Sequence, residues 1–301
     1  HTGALELVEI PALAPNRGEA GAALLGPGLL APLLGRRDFD THKGMAGRVS
    51  VVAGGPGMLG AAELACTGAL RAGAGMVTLW CGSRVLDALR VRMPAEVMVR
   101  ELRAVEEVLE FPADAMVAGP GLGAELDAPL LRLLGEARAP VVADADALNA
   151  LARTGLDAAL FLAGARGPRL ITPHPGEWRR IGGDGAGGGR RHQAEAFAQR
   201  AGGGVTVLLK GSRTVIATAE RQTWFNGTGH PGMATGGMGD VLSGVLGALL
   251  ATGKGPHEAG GLGAWLCGRA AEIAAADLGH EWTVLPSDAA ARMGRALAMI
   301  G

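Results

Sequence analysis

Tyrosine is absent from this chain of 301 residues, and the other aromatics are sparse, at five Phe and five Trp. That absence points to no function by itself. Cysteine is nearly missing as well. Cys66, Cys81 and Cys267 stand far apart in apolar settings and form no Cys-x-x-Cys pair. They read as small packed hydrophobes in a reducing, cytoplasmic compartment. Neither sign of charge is in excess: Lys and Arg number 28, Asp and Glu 29, and the formal net charge is −1. Nothing in that balance draws nucleic acid or an anionic membrane surface. No apolar run reaches the roughly 20 residues of a membrane-spanning helix. The N-terminus has no charged stretch leading into an apolar one, so no signal peptide is expected. The chain opens at His1 rather than Met, which reads as a fragment or a processed product. Gly-x-x-x-x-Gly-Lys-Ser/Thr does not occur either. Gly253-Lys254-Gly255 lacks its spacing and its hydroxyl, so any nucleotide is held by something other than a P-loop.

What the chain has in quantity is glycine, 51 residues, and apolar side chains, at 48%. That length and composition allow one large or two medium domains with a full core. Residues 1–40 stand apart: 4–10 reads as a strand, and 11–35 as a Pro/Gly/Ala/Leu linker. From residue 49 short apolar strands are expected at 49–53, 76–80, 96–99, 115–118, 141–143, 170–172 and 205–209. Helical stretches lie between them, at 59–72, 84–92, 128–137 and 192–200. Near-continuous apolar strands alternating with helices predict an α/β fold, with a mostly parallel central sheet covered by helices on both faces. Residues 214–218 and 222–225 read as a hairpin near a sheet edge. The remainder is expected to be helical, at 240–250, 258–277 and 287–299. Gly182 to Gly189 reads as a surface turn, because no strand feeds into it.

The most informative stretch covers residues 226–240 and ends Gly236-Gly237-Met238-Gly239-Asp240. Glycines let backbone N–H groups converge on an anion, and the helix behind adds unpaired N–H groups and a positive dipole end. Asp240 would then be the proton acceptor at a phosphate site; in isolation the same residue would read as a helix cap. Other motifs follow predicted strands, where open α/β sheets bind their ligands. Gly55-Pro56-Gly57-Met58-Leu59-Gly60 fits the dinucleotide fingerprint, but the second strand ends Leu79-Trp80-Cys81 without the acid that would hold a ribose. A redox dinucleotide site is therefore not expected there. Gly119-Pro120-Gly121-Leu122-Gly123 is either a ligand-contacting turn or an ordinary one. Asp144-Ala145-Asp146 either holds Mg²⁺, directly or through water, or caps the following helix. Thr172-Pro173-His174-Pro175-Gly176-Glu177 reads as a stiff turn presenting His174 and Glu177, and Glu177 could help organise Mg²⁺ beside phosphates. Lys210, at the end of a buried strand, needs an anion or solvent, and a nucleotide phosphate is a natural partner.

Taken in order, these segments, together with His42-Lys43-Gly44, Gly47-Arg48-Val49, Gly60-Ala61-Ala62 and Ala69-Leu70-Arg71-Ala72-Gly73-Ala74-Gly75, resemble the ADP-dependent NAD(P)H-hydrate dehydratases of the ribokinase-like superfamily. The resemblance covers roughly residues 40–300 and implies a ribokinase-like fold for a domain at 41–301. Residues 1–40 look like the tail of an epimerase domain that precedes the dehydratase in bifunctional members. The implied reaction is repair: the S epimer of hydrated NADH or NADPH is phosphorylated on its C6 hydroxyl by ADP, and phosphate elimination restores the double bond. Asp240 matches the catalytic Asp, with Gly236, Gly237, Met238 and Gly239 as the anion hole. Ala61, Gly121, His174 and Asp240 fall where the family contacts the hydrated dinucleotide. Lys210, Gly211, Ser212, Arg213, Thr214 and Gly239 fall where it holds the adenine nucleotide. Mg²⁺ is implied, with Glu177 and Asp144 nearby, and ADP or ATP as co-substrate. His230 and Met238 stand where many members carry Asn and Ser. The resemblance also implies a cytoplasmic homo-oligomer, a tetramer among its forms. The alternatives are a vitamin- or sugar-type kinase on the same fold, and a catalytically silent nucleotide-binding module.

Overall fold

The computed structural model describes residues 21–301. The strand expected at 4–10 lies outside the described residues. The elements run β1 (Ala22–Leu24), α1 (Pro27–Leu34), β2 (Arg48–Val52), α2 (Leu59–Arg71), β3 (Met76–Cys81), α3 (Ser83–Arg92), β4 (Val97–Glu101), α4 (Val105–Glu110), β5 (Ala115–Ala118) and α5 (Asp127–Glu136). There follow β6 (Val141–Ala143), α6 (Asp146–Arg153), α7 (Ala158–Ala163), β7 (Arg169–Ile171), α8 (Pro175–Arg180), α9 (Arg190–Ala201), β8 (Val205–Leu209), β9 (Val215–Thr218) and β10 (Thr223–Phe225). The chain closes with α10 (Met238–Ala251), α11 (Pro256–Leu278), α12 (Pro286–Ala291) and α13 (Met293–Leu297).

The strands form one sheet in the order β1-β10-β9-β8-β7-β6-β5-β2-β3-β4. Only β9 runs against its neighbours. Successive residues of a strand face opposite sides of a sheet, and here both sides are apolar. Val117, Val142 and Leu208 pack with α1, α2, α3 and α10–α13, while Met116, Val141 and Val207 pack with α4–α9. Both faces are thus covered, as the continuous apolar strands lead one to expect. Cys66, Cys81 and Cys267 are buried free thiols in this core.

Three readings of the sequence need correction. Within the stretch read as linker, Ala22–Leu24 pair with Thr223–Phe225 as an edge strand, and α1 buries Leu30 completely. Burying a leucine contributes roughly 1.5–3 kcal/mol, which outweighs the linker-like composition. The helix read at 287–299 is broken at Arg292 (φ −95°, ψ 3°) into α12 and α13. The stiff turn read at 172–177 is the entry to α8, discussed below.

Two glycines set the crossing of α2 and α10 beneath β2 and β5. A Cβ at Gly68 would run into the Val241 carbonyl, and one at Gly244 into the Ala65 carbonyl. The two helices therefore touch backbone to backbone, and this contact fixes the N-terminal end of α10 over the carboxyl ends of the parallel strands.

Candidate active site

Five loops leave the carboxyl ends of β2, β5, β6, β7 and β8 on one side of the sheet, and the first turn of α10 closes over them. The loop after β2 meets the loop after β5: Gly54 N–H donates to the Pro120 carbonyl at 2.9 Å. A Cβ at Gly121 would lie 2.8 Å from the Ala61 Cβ and 2.9 Å from the Met58 Cβ. Ala61 and Gly121 thus lie against each other where the two loops meet. Asp146 braces this junction from the start of α6, accepting the Gly123 N–H at 2.8 Å and the Asn149 amide at 3.1 Å. Asn149 in turn accepts Arg180 Nε at 3.0 Å, which ties the junction to α8.

The β7 loop gives His174 a structural duty. His174 is the N-cap of α8: its Nδ1 accepts the Gly176 N–H at 2.9 Å, and Glu177 Oε2 accepts the His174 N–H at 2.9 Å. Pro175 occupies the first helical position, where its fixed φ and missing N–H cost nothing. The ring is half exposed, with Nε2 3.3 Å from Glu177 Oε1, so both ring nitrogens have a partner within α8.

After β8, Lys210 N–H donates to the Pro173 carbonyl at 2.9 Å. Its ammonium turns inward rather than to solvent. Nζ lies 2.7 Å from Asp144 Oδ1 and 4.0 Å from Glu177 Oε2, with side-chain exposures of 20% for Lys210 and 2% for Asp144. Burial works against the Lys210 charge, but Asp144 and Glu177 hold its pKa above the ordinary lysine value. Burial pushes the Glu177 carboxyl up, Lys210 opposing and Asp144 adding to the rise. Asp144 is not a helix cap; α6 begins after Ala145 with no side-chain cap. The rest of the loop, Gly211 to Thr214, is pinned by a residue the sequence reading missed. Arg190, at the start of α9, donates to the carbonyls of Leu209 at 2.8 Å, Lys210 at 2.9 Å and Arg213 at 3.3 Å. Arg213 is held at φ 76°.

Gly237, at φ 101°, is the N-cap of α10, and this left-handed conformation is one that glycine takes without strain. The first bond back along the helix comes from Val241 N–H to the Gly237 carbonyl at 3.1 Å. The N–H groups of Gly237, Met238, Gly239 and Asp240 therefore sit at a helix start, where intrahelical acceptors are lacking. Below them lies the Lys210–Asp144 pair: a Cβ at Gly239 would be 3.3 Å from Lys210 Nζ and 3.6 Å from Asp144 Oδ2. Asp240 is the third helical residue. Among the described residues its carboxylate has no hydrogen-bond partner. Burial, with repulsion from Asp144, raises its pKa to about 6, against the pull of Lys210. A second residue missed from sequence is Ser243, whose hydroxyl lies 2.7 Å from Asp144 Oδ2 and 3.0 Å from the Gly239 carbonyl. A serine inside an apolar helix, four residues after a candidate anion-hole glycine, was the available signal.

A proton acceptor poised near neutrality, an anion-binding helix start and a buried ammonium suit phosphoryl transfer. The sheet and helices that carry them are those of the ribokinase-like α/β proteins. The NAD(P)H-hydrate dehydratase family profile matches residues 49–294, and the chain belongs to that family. It is 41% identical over 264 residues to the bifunctional NAD(P)H-hydrate repair enzyme of Moorella thermoacetica, covering 82% of this chain and 48% of that one. To the ADP-dependent (S)-NAD(P)H-hydrate dehydratase of Neisseria meningitidis serogroup B it is 36% identical, over 85% of this chain and 87% of that one. The crystal structure of the ADP/ATP-dependent NAD(P)H-hydrate dehydratase of Bacillus subtilis, co-crystallised with ATP and Mg²⁺, superposes with a TM-score of 0.81 at 29% identity. That superposition covers 96% of this chain and 100% of the other. The chain spans about half the length of the bifunctional curated relatives it matches.

Proposed function

We propose that this chain dehydrates the S epimer of hydrated NADH and NADPH, with ADP as phosphoryl donor. The observation that carries the reading is the Asp240 carboxylate on the first turn of α10, beside the Lys210–Asp144 pair and with its pKa raised to about 6. Asp240 takes the proton of the substrate's C6 hydroxyl. The hydroxyl oxygen attacks the β-phosphorus of ADP, and AMP leaves. The N–H groups of Gly236, Gly237, Met238 and Gly239, the helix end and Lys210 bear the negative charge that develops on the phosphoryl oxygens. The C6–O bond then breaks with loss of a proton from C5, giving NAD(P)H and inorganic phosphate. Ala61, Gly121 and His174 line the dinucleotide side, and Lys210 to Thr214 with Gly239 line the nucleotide side.

Mg²⁺ would supply charge neutralisation at the phosphates. The donors present do not fit it as a preformed cage. Among the described residues no three His, Cys, Asp or Glu side chains converge on one point. Both Asp144 oxygens are committed to Lys210 and Ser243, and Glu177 Oε2 to the His174 N–H. Contact from Asp144 and Glu177 through water remains compatible with this arrangement, and no step above runs through the ion.

A preceding epimerase domain is part of the same proposal, its support being the relatives named bifunctional repair enzymes; residues 22–34 are not its tail, because they form β1 and α1 of this fold. Among the described residues no helix is long and apolar enough to cross a membrane; a cytoplasmic location is part of the proposal. A homo-oligomer is part of the same proposal. The test is recovery of NADH absorbance from S-NADH hydrate with Mg²⁺ and ADP, ATP or no nucleotide. Nucleotide-dependent recovery supports the reading and names the donor. No recovery, with nucleotide binding intact, favours a small-molecule kinase or a silent binding module.

A further inference from the structure

We infer that Ser243, acting through Asp144, positions the Lys210 ammonium beneath the first turn of α10, and that Asp144 serves the lysine rather than a metal ion. Three observations meet here. First, Asp144 is almost wholly buried, and each of its oxygens has a 2.7 Å partner: Lys210 Nζ on Oδ1 and Ser243 Oγ on Oδ2. Each oxygen keeps a second lone pair, but the ammonium already meets the buried charge, and removing the lysine would strand it. Second, Ser243 lies one turn along α10 from Gly239, and its single hydroxyl proton is shared between Asp144 Oδ2 at 2.7 Å and the Gly239 carbonyl at 3.0 Å. The hydroxyl therefore fixes the Asp144–Lys210 pair in register with the same helix turn that offers its N–H groups. Third, the chain bends sharply just after Asp144. Ala145 is held at φ 48° and ψ −111°, a conformation that side-chain-bearing residues rarely adopt. Such strain persists only where the surroundings over-determine it.

The ammonium this chain holds lies beside Gly239 of the first turn of α10, which also carries Asp240. Ser243 and Asp144 are thus positioning residues. Their role in turnover rests on the proposed reaction; the pairing itself does not.

Competitive amine acetylation read by mass spectrometry tests the pairing without substrate, with exposed Lys43 as the internal standard. Losing its carboxylate partner lowers the lysine pKa and leaves more free amine at a given pH. Asp144→Asn should label Lys210 roughly 10-fold faster than the wild type, because the buried ammonium loses the carboxylate that holds it charged and in place. Ser243→Ala should label it a few-fold faster, and this variant keeps a good helix former should Asp144→Asn fail to fold. Unchanged labelling in Ser243→Ala overturns the inference. In turnover, Ser243→Ala should lower kcat roughly 10-fold, while calorimetric binding of ADP alone and the half-saturating Mg²⁺ stay within about 3-fold. A large rise in half-saturating Mg²⁺, with kcat restored at high Mg²⁺, would make Asp144 a metal ligand and sink the proposal. A wild-type protein without turnover would refute the proposed function and leave the labelling result to decide the pairing.

Discussion

Burial holds the Asp240 carboxyl protonated up to about pH 6, Asp144 adding to the rise and Lys210 opposing it. As the proposed base, it must be ionised to act. The kcat/KM profile should therefore lose activity on the acid side with a limb near pH 6; a profile flat down to pH 5 contradicts the assignment. The sign for stability is opposite to that of a salt-bridged carboxylate. The folded-state pKa lies above the unfolded value near 3.9, so the folded form binds more protons between the two, and stability falls as pH rises through that window. His174 raises a different question at the same scale, because it caps α8 and is also proposed to contact the dinucleotide. His174→Ala should cost about 1 kcal/mol in a urea melt, whereas His174→Asn, itself a good N-cap, should cost less than about half of that. Both should raise KM for the hydrated dinucleotide, since neither carries the ring. Unchanged KM in the Asn variant would leave His174 as a cap alone.

The contact of α2 with α10 is the element on which the site depends. Gly244→Ala would drive a methyl group into the Ala65 carbonyl. The expected cost is roughly 1–3 kcal/mol from overpacking. A displacement of α10 by about 1 Å should also lower turnover by roughly 100-fold, because Asp240 rides on that helix. A variant that melts and turns over like the wild type would show that the crossing is not needed to place Asp240. The elements were legible in the sequence where one period dominated. The parallel strands from β2 to β8 and the long helices α2, α10 and α11 lie within a few residues of their expected places. What was hidden depended on partners distant in sequence. The edge strand β1 has linker-like composition and becomes a strand only against β10. The start of α8 looked like a stiff turn because Pro175 is equally at home at a first helical position. At the site, the motifs named Asp240, Lys210, His174 and Asp144. They did not reveal that Asp144 is shared between Lys210 and Ser243, because that pairing joins residues from β6, β8 and α10.

For the whole molecule, a parallel sheet gathers five strand-end loops on one side, and a glycine-led helix start closes over them. In the proposed reaction Ala61 and Gly121 line one side and the Lys210 loop the other, and Asp240 with the α10 N–H groups acts on the phosphoryl group between them. The central claim is that this passage happens, and that Asp240 starts it by removing the proton from the hydroxyl. The most direct test records NADH absorbance and inorganic phosphate together, from S-NADH hydrate, ADP and Mg²⁺, with the wild-type protein and with Asp240→Asn. The account predicts one phosphate for each NADH from the wild type, and almost neither product from the variant, although calorimetry still finds ADP bound. NADH appearing without phosphate, or near-wild-type turnover by Asp240→Asn, would contradict it.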